Sequence, residues 1–377
     1  MARAAVTWET LRELANFRSE SGCAVSLYVD LDPSTAPTPA DAETRFNSLL
    51  NAAERATEER DYDHERRQAL IRDLHRIRTW WDVDFDRDGT QGVAVFASSL
   101  EGLWRTLPLP EPVADEVRLE RELHVAPLVP IAAKGEGALV AFVGRERGQV
   151  FRLLNGRLEE VVDQTDEQPG QHTQGGWSQA RYQRHIEKLV QEHLKSVGDE
   201  LDRRFRRGGL EIVVVSAPEL RNDFEAAVSP EVRDAIVGWA TAEAHATPAE
   251  LLEVVTPHLD RARAESVTES LERWQGEIGR DGRAAAGWEQ TLEAASDGRV
   301  AVLFVQDAAN AKAYRCPECG RGSASPGSCP LDGHPLDEVE DGLDLAIHRT
   351  LEYGGAIVPV EGSALDGHQG IGALLRF

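Results

Sequence analysis

The chain has 377 residues, 41% of them hydrophobic and 28% charged, with a formal net charge of −24 at pH 7. Length and mixture together exclude a disordered tail and leave room for two or three cored domains. The acidic balance excludes a protein that coats nucleic acid through diffuse positive charge, so any RNA contact has to come from a local patch, and no DNA partner is expected.

The longest apolar runs, such as "GALVAFVG" and "EIVVVSA", fall far short of the roughly 20 residues needed to cross a bilayer. The N-terminal "MARAAVTWETLRELANF" has no continuous signal-peptide core. A soluble cytoplasmic protein with no membrane partner is expected.

In chain order, "CAVSLYVDLD" reads as a strand, "PSTAPTP" as a break, and residues Ala40 to Arg60 and His64 to Trp81 as two apolar-periodic helices. "GVAVFASS" and "LWRTLPLP" form a hairpin joined through "SLEG". Near Pro130 a second unit opens with three strands, "ALVAFVGRE", "GQVFRLLNG" and "RLEEVVD", separated by tight turns. A long helix and the strand "LEIVVVSAP" follow. From Glu219 to about Ile278 the pattern is helical, with Ser-Pro and Thr-Pro starts, and "GRDGRAAAG" reads as a turn or linker.

The third unit holds a helix, the strand "RVAVLFVQ", a cysteine segment, the helix "EDGLDLAIHRTLEYGG", the strand "AIVPVE" and a final "GIGALLRF". The expected architecture is a multidomain α/β (α+β) protein, with domains at 1–130, 131–280 and 281–377 and a mixed sheet with a long helix in the middle one.

The stretch "GQHTQGGWSQARYQRHIEKL" passes from a polar, glycine-broken loop into the long helix. Tyr182, Ile186, Leu189, Val190, His193, Leu194, Val197, Leu201 and Phe205 recur at spacings of three and four and define one buried face. Ser178 fits an N-cap, and Trp177 before it sits where a hydrophobic staple to Tyr182 would form. The preceding run has no apolar anchor. Gly175 and Gly176 allow close backbone approach, and Arg181 and Arg184 add positive charge where free helix N–H groups already favour anions.

This loop resembles that of the archaeo-eukaryotic peptide-chain release factors and their relative Pelota, in which an H-x-x-G-G-Q-S-x-x-R loop precedes a long helix in the middle of three domains. His172, Gly175, Gly176, Ser178 and Arg181 occupy the matching positions. Trp177 stands where the family has its glutamine. Gln179 lies two positions on, so that "GWSQ" fits the G-x-x-Q form of the related eukaryotic quality-control peptidyl-tRNA hydrolases.

The domain order is similar to that of the bacterial branch, and no N-I-K-S stop-codon segment is present. The resemblance implies a ribosome-rescue peptidyl-tRNA hydrolase with Gly175, Gly176 and Gln179 as catalytic residues. His172, Trp177, Ser178, Arg181 and Arg184 would be its RNA contacts. The ribosome, rRNA and tRNA would be the partners, with a translational GTPase as a further partner class. The alternative under the same resemblance is a non-catalytic hibernation factor that occupies the A site.

Of the four cysteines, Cys23 stands alone in a strand as a core residue, while Cys316, Cys319 and Cys329 crowd into "CPECGRGSASPGSCPLDG". C-x₂-C followed by a second half-motif is a zinc-ribbon pattern, and its fourth position holds Asp332, with His334 two residues on as the other candidate ligand. A structural Zn²⁺ in a small insertion is expected.

Two further motifs are weaker. Asp84, Asp86, Asp88 and Gly89 open like a calcium loop, but the position of its closing glutamate holds Val95. The run Arg203, Arg204, Arg206 and Arg207 suits the negative end of the long helix and is a secondary RNA-contact candidate.

Overall fold

The computed structural model describes residues 6–20, 22–87, 89–135, 137–154, 156–165, 177–280, 282–307 and 309–377, with only the backbone described for 163–165 and 177–186. The chain divides into two compact units, Met1–Gly135 with Glu269–Phe377, and Glu136–Thr268.

The first part of the discontinuous unit holds α1 (Trp8–Ala15), β1 (Ala24–Asp30), α2 (Pro39–Glu59), α3 (His64–Val83), β2 (Gly92–Ser98), β3 (Leu103–Leu109), β4 (Glu116–Glu120) and α4 (Val129–Gly135). The four strands form an antiparallel sheet in the order β3-β2-β1-β4. Alternation along β1 builds its two faces. Val25, Leu27 and Val29 pack with Phe46 and Leu50 of α2 and Leu70, Leu74 and Ile77 of α3, whereas Ala24 and Tyr28 belong to a second core on the opposite face.

Thr38 and Asp41 close a capping box at the start of α2, with Pro39 at the first helical position, so the N–H groups of Thr38 and Asp41 are satisfied and Pro39 has none to satisfy. Both expected helices are present here. α1 and β4 were not legible in the sequence.

The second unit comprises β5 (Ala138–Val143), β6 (Arg147–Leu154), β7 (Arg157–Thr165), α5 (Trp177–Gly208), β8 (Ile212–Ser216), α6 (Arg221–Ala227), α7 (Pro230–Asp234), β9 (Ile236–Ala240) and α8 (Pro248–Ile278), whose last turns pass into the other unit. Its sheet has the order β7-β6-β5-β8-β9, with β5, β6 and β7 antiparallel and β8 and β9 parallel to β5.

Leu194, Val197 and Leu201 of α5 cover one face of this sheet. Leu251, Val255 and Leu259 of α8 cover the other. Gly148 of β6 makes the first contact possible, because a Cβ there would meet Val197 Cγ2 at 2.2 Å.

The second part of the discontinuous unit contains β10 (Ala284–Ala286), α9 (Gly287–Ser296), β11 (Val300–Gln306), β12 (Ala313–Arg315), β13 (Gly322–Ser323), β14 (Asp337–Val339), α10 (Gly342–Glu352), β15 (Ala356–Val360) and β16 (Ile371–Leu375). A four-stranded sheet runs β10-β16-β11-β15, and the cysteine segment forms its own sheet, β13-β12-β14. Leu292, Leu303, Ala346, Ile347 and Ala373 share one core with Leu11, Tyr28, Phe96 and Leu128 from the first part of the unit.

Three expectations need correction. The helical reading of Glu219 to Ile278 misses β9, whose short "IVGWA" pairs with β8 and owes its conformation to that neighbour. The "GRDGRAAAG" linker contains β10, where alanines of low β-propensity are held as a strand by pairing with β16 and by the buried Trp274, whose Nε1–H donates to Ala285 O at 3.0 Å. α5 begins at Trp177, so Ser178 lies inside the first turn and not at the cap position. Among the described residues no helix is long and apolar enough to cross a membrane.

Candidate functional site

α5 is 32 residues long, or about 48 Å at 1.5 Å per residue. Buried His193, Leu194, Val197 and Leu201 anchor its middle and later turns on the sheet. The backbone sets Trp177, Ser178, Gln179, Arg181 and Arg184 in the first turns of the helix. His172, Gly175 and Gly176 lie outside the described residues.

At the opposite end, Arg203 and Arg204 both pair with Glu200, Arg204 through Nε at 2.8 Å, and Arg204 Nη2 also donates to Val161 O at 3.3 Å. Two members of the basic run therefore serve the helix's own electrostatics. Arg206 and Arg207 are left exposed at its tip.

The cysteine segment folds as two copies of one turn, "CPECG" and "CPLDG". In the first, Gly320 N–H donates to Cys316 O at 3.0 Å and Cys316 N–H to Arg321 O at 2.9 Å; in the second, Gly333 N–H donates to Cys329 O at 2.9 Å and Cys329 N–H to His334 O at 2.8 Å. Gly320 and Gly333 take φ of 71° and 78°, the left-handed conformation that glycine adopts without a Cβ penalty. Asp332 thus stands in the second turn where Cys319 stands in the first.

One ligand atom from each of Cys316, Cys319, Cys329 and Asp332 lies within 4.8 Å of the others. Cys319 Sγ is 3.5 Å from Cys329 Sγ, and Cys316 Sγ is 3.3 Å from Asp332 Oδ2. A tetrahedral ion with bonds of about 2.0–2.3 Å spaces its ligand atoms roughly 3.3–3.8 Å apart, so the donor set fits a tetrahedral thiolate-binding metal.

His334 is not part of this group. Its backbone N–H donates to Asp332 Oδ1 at 3.1 Å and its Nδ1 lies 3.3 Å from the same oxygen, so it orients the carboxylate. Hydrogen bonding from that N–H holds the Asp332 carboxyl well below its ordinary value. Loss of hydration and the neighbouring thiols and carboxylate push the Cys319 thiol up to about 11. Only negative charge can develop here, and a dication would satisfy all four groups at once.

A second cluster escaped the sequence reading. His348 of α10 points Nδ1 at Ala15 O (2.8 Å) and Nε2 at Leu123 O (2.7 Å), with Asp344 Oδ2 at 3.4 Å. Carbonyl oxygens only accept, so both ring nitrogens carry protons and the ring is an imidazolium. Asp344 Oδ1 also accepts from the N–H groups of Val125 and Ala126, each at 2.9 Å, and lies 3.4 Å from His124 Nδ1. His124 Nε2 is 3.2 Å from Glu116 Oε2, and Tyr28 O–H donates to His124 O at 2.5 Å.

Burial opposes the charge on both histidines. For His124, hydrogen bonds to Asp344 and Glu116 outweigh it and push the group up to about 10. The charge of Asp344 and a hydrogen bond to it raise His348 to about 9. The hydrogen bond from His124 holds Glu116 down at about 2. This clasp joins α1 and the 123–126 segment to α10 within one unit. The i, i+4 pair Asp344 and His348 on one helix face was the available signal.

Among the described residues of the calcium-like segment, the side chains serve the connection to β2. Asp84 caps α3, and Arg87 Nη2 donates to Leu31 O at 2.8 Å and Ala36 O at 2.5 Å, pinning the connection to β2.

Residues 124–259, which contain the glycine loop, all of α5 and the sheet β5 to β9, match the family described as bacterial archaeo-eukaryotic release factor family 10. Peptide chain release factor subunit 1 of Archaeoglobus fulgidus is 27% identical over 254 residues, covering 60% of this chain and 62% of the relative. The protein of the same name from Thermoplasma acidophilum is 25% identical over 318 residues, covering 76% and 75%. The chain therefore spans less than two thirds of the first of these relatives, at 62% of its length. A crystal structure of an archaeal translation termination factor aligns over 98% of both chains at 16% identity, with a TM-score of 0.27.

Proposed function

From the match of residues 124–259 to the bacterial archaeo-eukaryotic release factor family, we propose that the chain is a ribosome-associated release-factor-like protein. It enters the A site of stalled ribosomes without reading a stop codon and hydrolyses peptidyl-tRNA. The observation that carries this reading is the family match over the very segment that holds "HTQGGWSQAR" and α5. Three domains at 1–130, 131–280 and 281–377 are part of the same proposal, as are rRNA and tRNA contacts, delivery by a translational GTPase, and a cytoplasmic location.

Hydrolysis requires water to attack the ester carbonyl that joins peptide to tRNA while negative charge grows on the carbonyl oxygen and the departing ribose hydroxyl. Fixed donors near those atoms lower the barrier. Gly175 and Gly176 let backbone amides come close, and the Gln179 amide orders the water. An amide is not a strong base, so the ribosome's own peptidyl-transferase centre carries much of the catalysis, and the free protein is a poor hydrolase. Trp177 favours a second reading. An aromatic in the glutamine's place can stack on an RNA base and exclude water, which is the behaviour of a hibernation factor.

The metal is proposed as Zn²⁺ held by Cys316, Cys319, Cys329 and Asp332 in a closed, structural site; when bound, it ties together two turns that have little core of their own.

Sedimentation with ribosomes through a cushion at several salt concentrations tests the shared premise. Reversing the charge of Arg181 and Arg184 is expected to weaken binding and flatten its salt dependence, because fewer phosphate counterions are released. Unchanged co-sedimentation of that double variant would remove the two arginines from the interface.

A further inference from the structure

We infer that Cys319 and Cys329 are an oxidation site: a peroxide-class oxidant joins them in a disulfide, expels the metal ion and loosens the ribbon's attachment to residues 15–18. The metal-release part rests on the proposed metal site; the choice of thiol pair rests on the cluster's geometry alone.

The two sulfurs lie 3.5 Å apart, whereas Cys316 is engaged with the Asp332 carboxylate at 3.3 Å. Cys319 is exposed, and Cys316 and Cys329 are buried, so an oxidant from solvent meets Cys319 first. Held as a thiolate when the metal is bound, Cys319 would attack one peroxide oxygen and break the O–O bond; hydroxide leaves and Cys319 becomes a sulfenic acid. The Cys329 thiolate then attacks the Cys319 sulfur, forming the S–S bond and displacing a second hydroxide. Two thiolates lose two electrons in total and the peroxide gains them. Two of the four groups that would hold the ion are thereby neutralised, so the remaining Cys316 and Asp332 would no longer retain it.

The turn that must move is the one held by the rest of the unit. Arg18 Nη2 donates to Pro317 O at 3.1 Å, and Arg349 Nη2 donates to Cys319 O at 2.7 Å. Glu122 pairs with Arg315, immediately before Cys316, and lies 4.0 Å from Arg18. Arg349 sits directly against Gly320, where a Cβ would lie 3.2 Å from its Nη2. Closing the sulfurs to about 2.05 Å and removing the ion swings Cys319 away from the old centre, and the gripped carbonyls of Pro317 and Cys319 go with it.

The test treats the full-length protein with hydrogen peroxide, in a zinc-loaded and a chelator-stripped form. It follows zinc release with a chromophoric chelator, disulfide position by peptide mass spectrometry, and hydrogen exchange of residues 15–18 and 316–320. The loaded protein is expected to release about one zinc ion for every two thiols lost, with Cys319 linked to Cys329 and faster exchange in both segments. Because Cys329→Ser alone can disturb folding, the peptide map of the unaltered chain decides the pairing.

A Cys316–Cys319 link, or oxidation stopping at sulfinic acid with no link, would overturn the assignment. Zinc release with a Cys319–Cys329 link but unchanged exchange would overturn the loosening. A chain that takes up no zinc yet forms the Cys319–Cys329 link when stripped would overturn the metal reading and its release, and leave the thiol pair standing.

Discussion

Around Asp344 the chain supplies both signs of charge from its own side chains, whereas at Cys316, Cys319, Cys329 and Asp332 it supplies only one. The clasp sets two imidazolium rings against Asp344 and Glu116 and adds backbone donors from Val125 and Ala126. It is electrostatically complete within the fold. The cysteine cluster gathers three thiols and a carboxylate within 4.8 Å of one another. Buried charge persists only when paired, so the clasp should depend on protons, whereas the crowding of like charges at the cysteine cluster calls for an external ion.

Breaking the clasp is expected to have the largest effect. Asp344→Asn leaves two buried imidazolium groups short of their counter-charge, and the loss in folding stability should be on the order of 3–5 kcal/mol by urea unfolding. A change below about 1 kcal/mol would mean that the cluster adapts without its carboxylate.

The clasp should also respond to alkali. His348 and His124 sit near 9 and 10 in the fold, above the ordinary value of about 6.5. Their contribution is therefore complete below about pH 6.5 and is lost as pH rises through 9 and then 10, with a slope of roughly 1.4 kcal/mol per pH unit for each proton released. Unfolding midpoints measured from pH 7 to 10.5 check this, and a flat profile would contradict the doubly protonated rings.

The ligand assignment is sharpened by a smaller effect. His334→Ala removes the Nδ1 contact to Asp332 and keeps the backbone N–H that also holds the carboxylate, so metal affinity should fall only about tenfold, the low end for loss of a group that orients a ligand. Asp332→Ala should cost more, because it opens the fourth position. Competition with a chelator of known affinity ranks the two, and the reverse ranking would make His334 the ligand.

These two clusters also differ in how far the sequence revealed them. The C-x₂-C spacing and the following glycines announced the cysteine turns, because ligand geometry is local and demands left-handed residues at fixed offsets. Only the choice between Asp332 and His334 needed the fold, which repeats the Cys316 turn at Cys329. The clasp draws on Tyr28, Glu116, His124, Asp344 and His348, 316 positions separating Tyr28 from Asp344, and beyond the i, i+4 pair Asp344 and His348 no local pattern announces such a set.

The same divide runs through the secondary structure. α2, α3 and the strands β5 to β8 follow strong periodicity and caps. β9 and β10 are strands because of their partners, and neither "IVGWA" nor "AAA" has a pattern of its own strong enough to show it. In the glycine loop, the candidate residues were found by resemblance, and His172, Gly175 and Gly176 fall outside the described residues.

The most direct test of the proposed function is single-turnover release of peptide from stalled ribosome complexes, run with the unaltered chain, Gln179→Ala, Trp177→Gln and Trp177→Ala, beside a ribosome-binding assay. Release above buffer by the unaltered chain is expected, with a loss of about a hundredfold in Gln179→Ala and binding nearly intact, the scale of losing one preorganised polar group. Trp177→Gln should keep or raise the rate. Release by the unaltered chain no faster than buffer, with ribosome occupancy that falls in Trp177→Ala, would contradict the catalytic claim and leave the hibernation reading in its place.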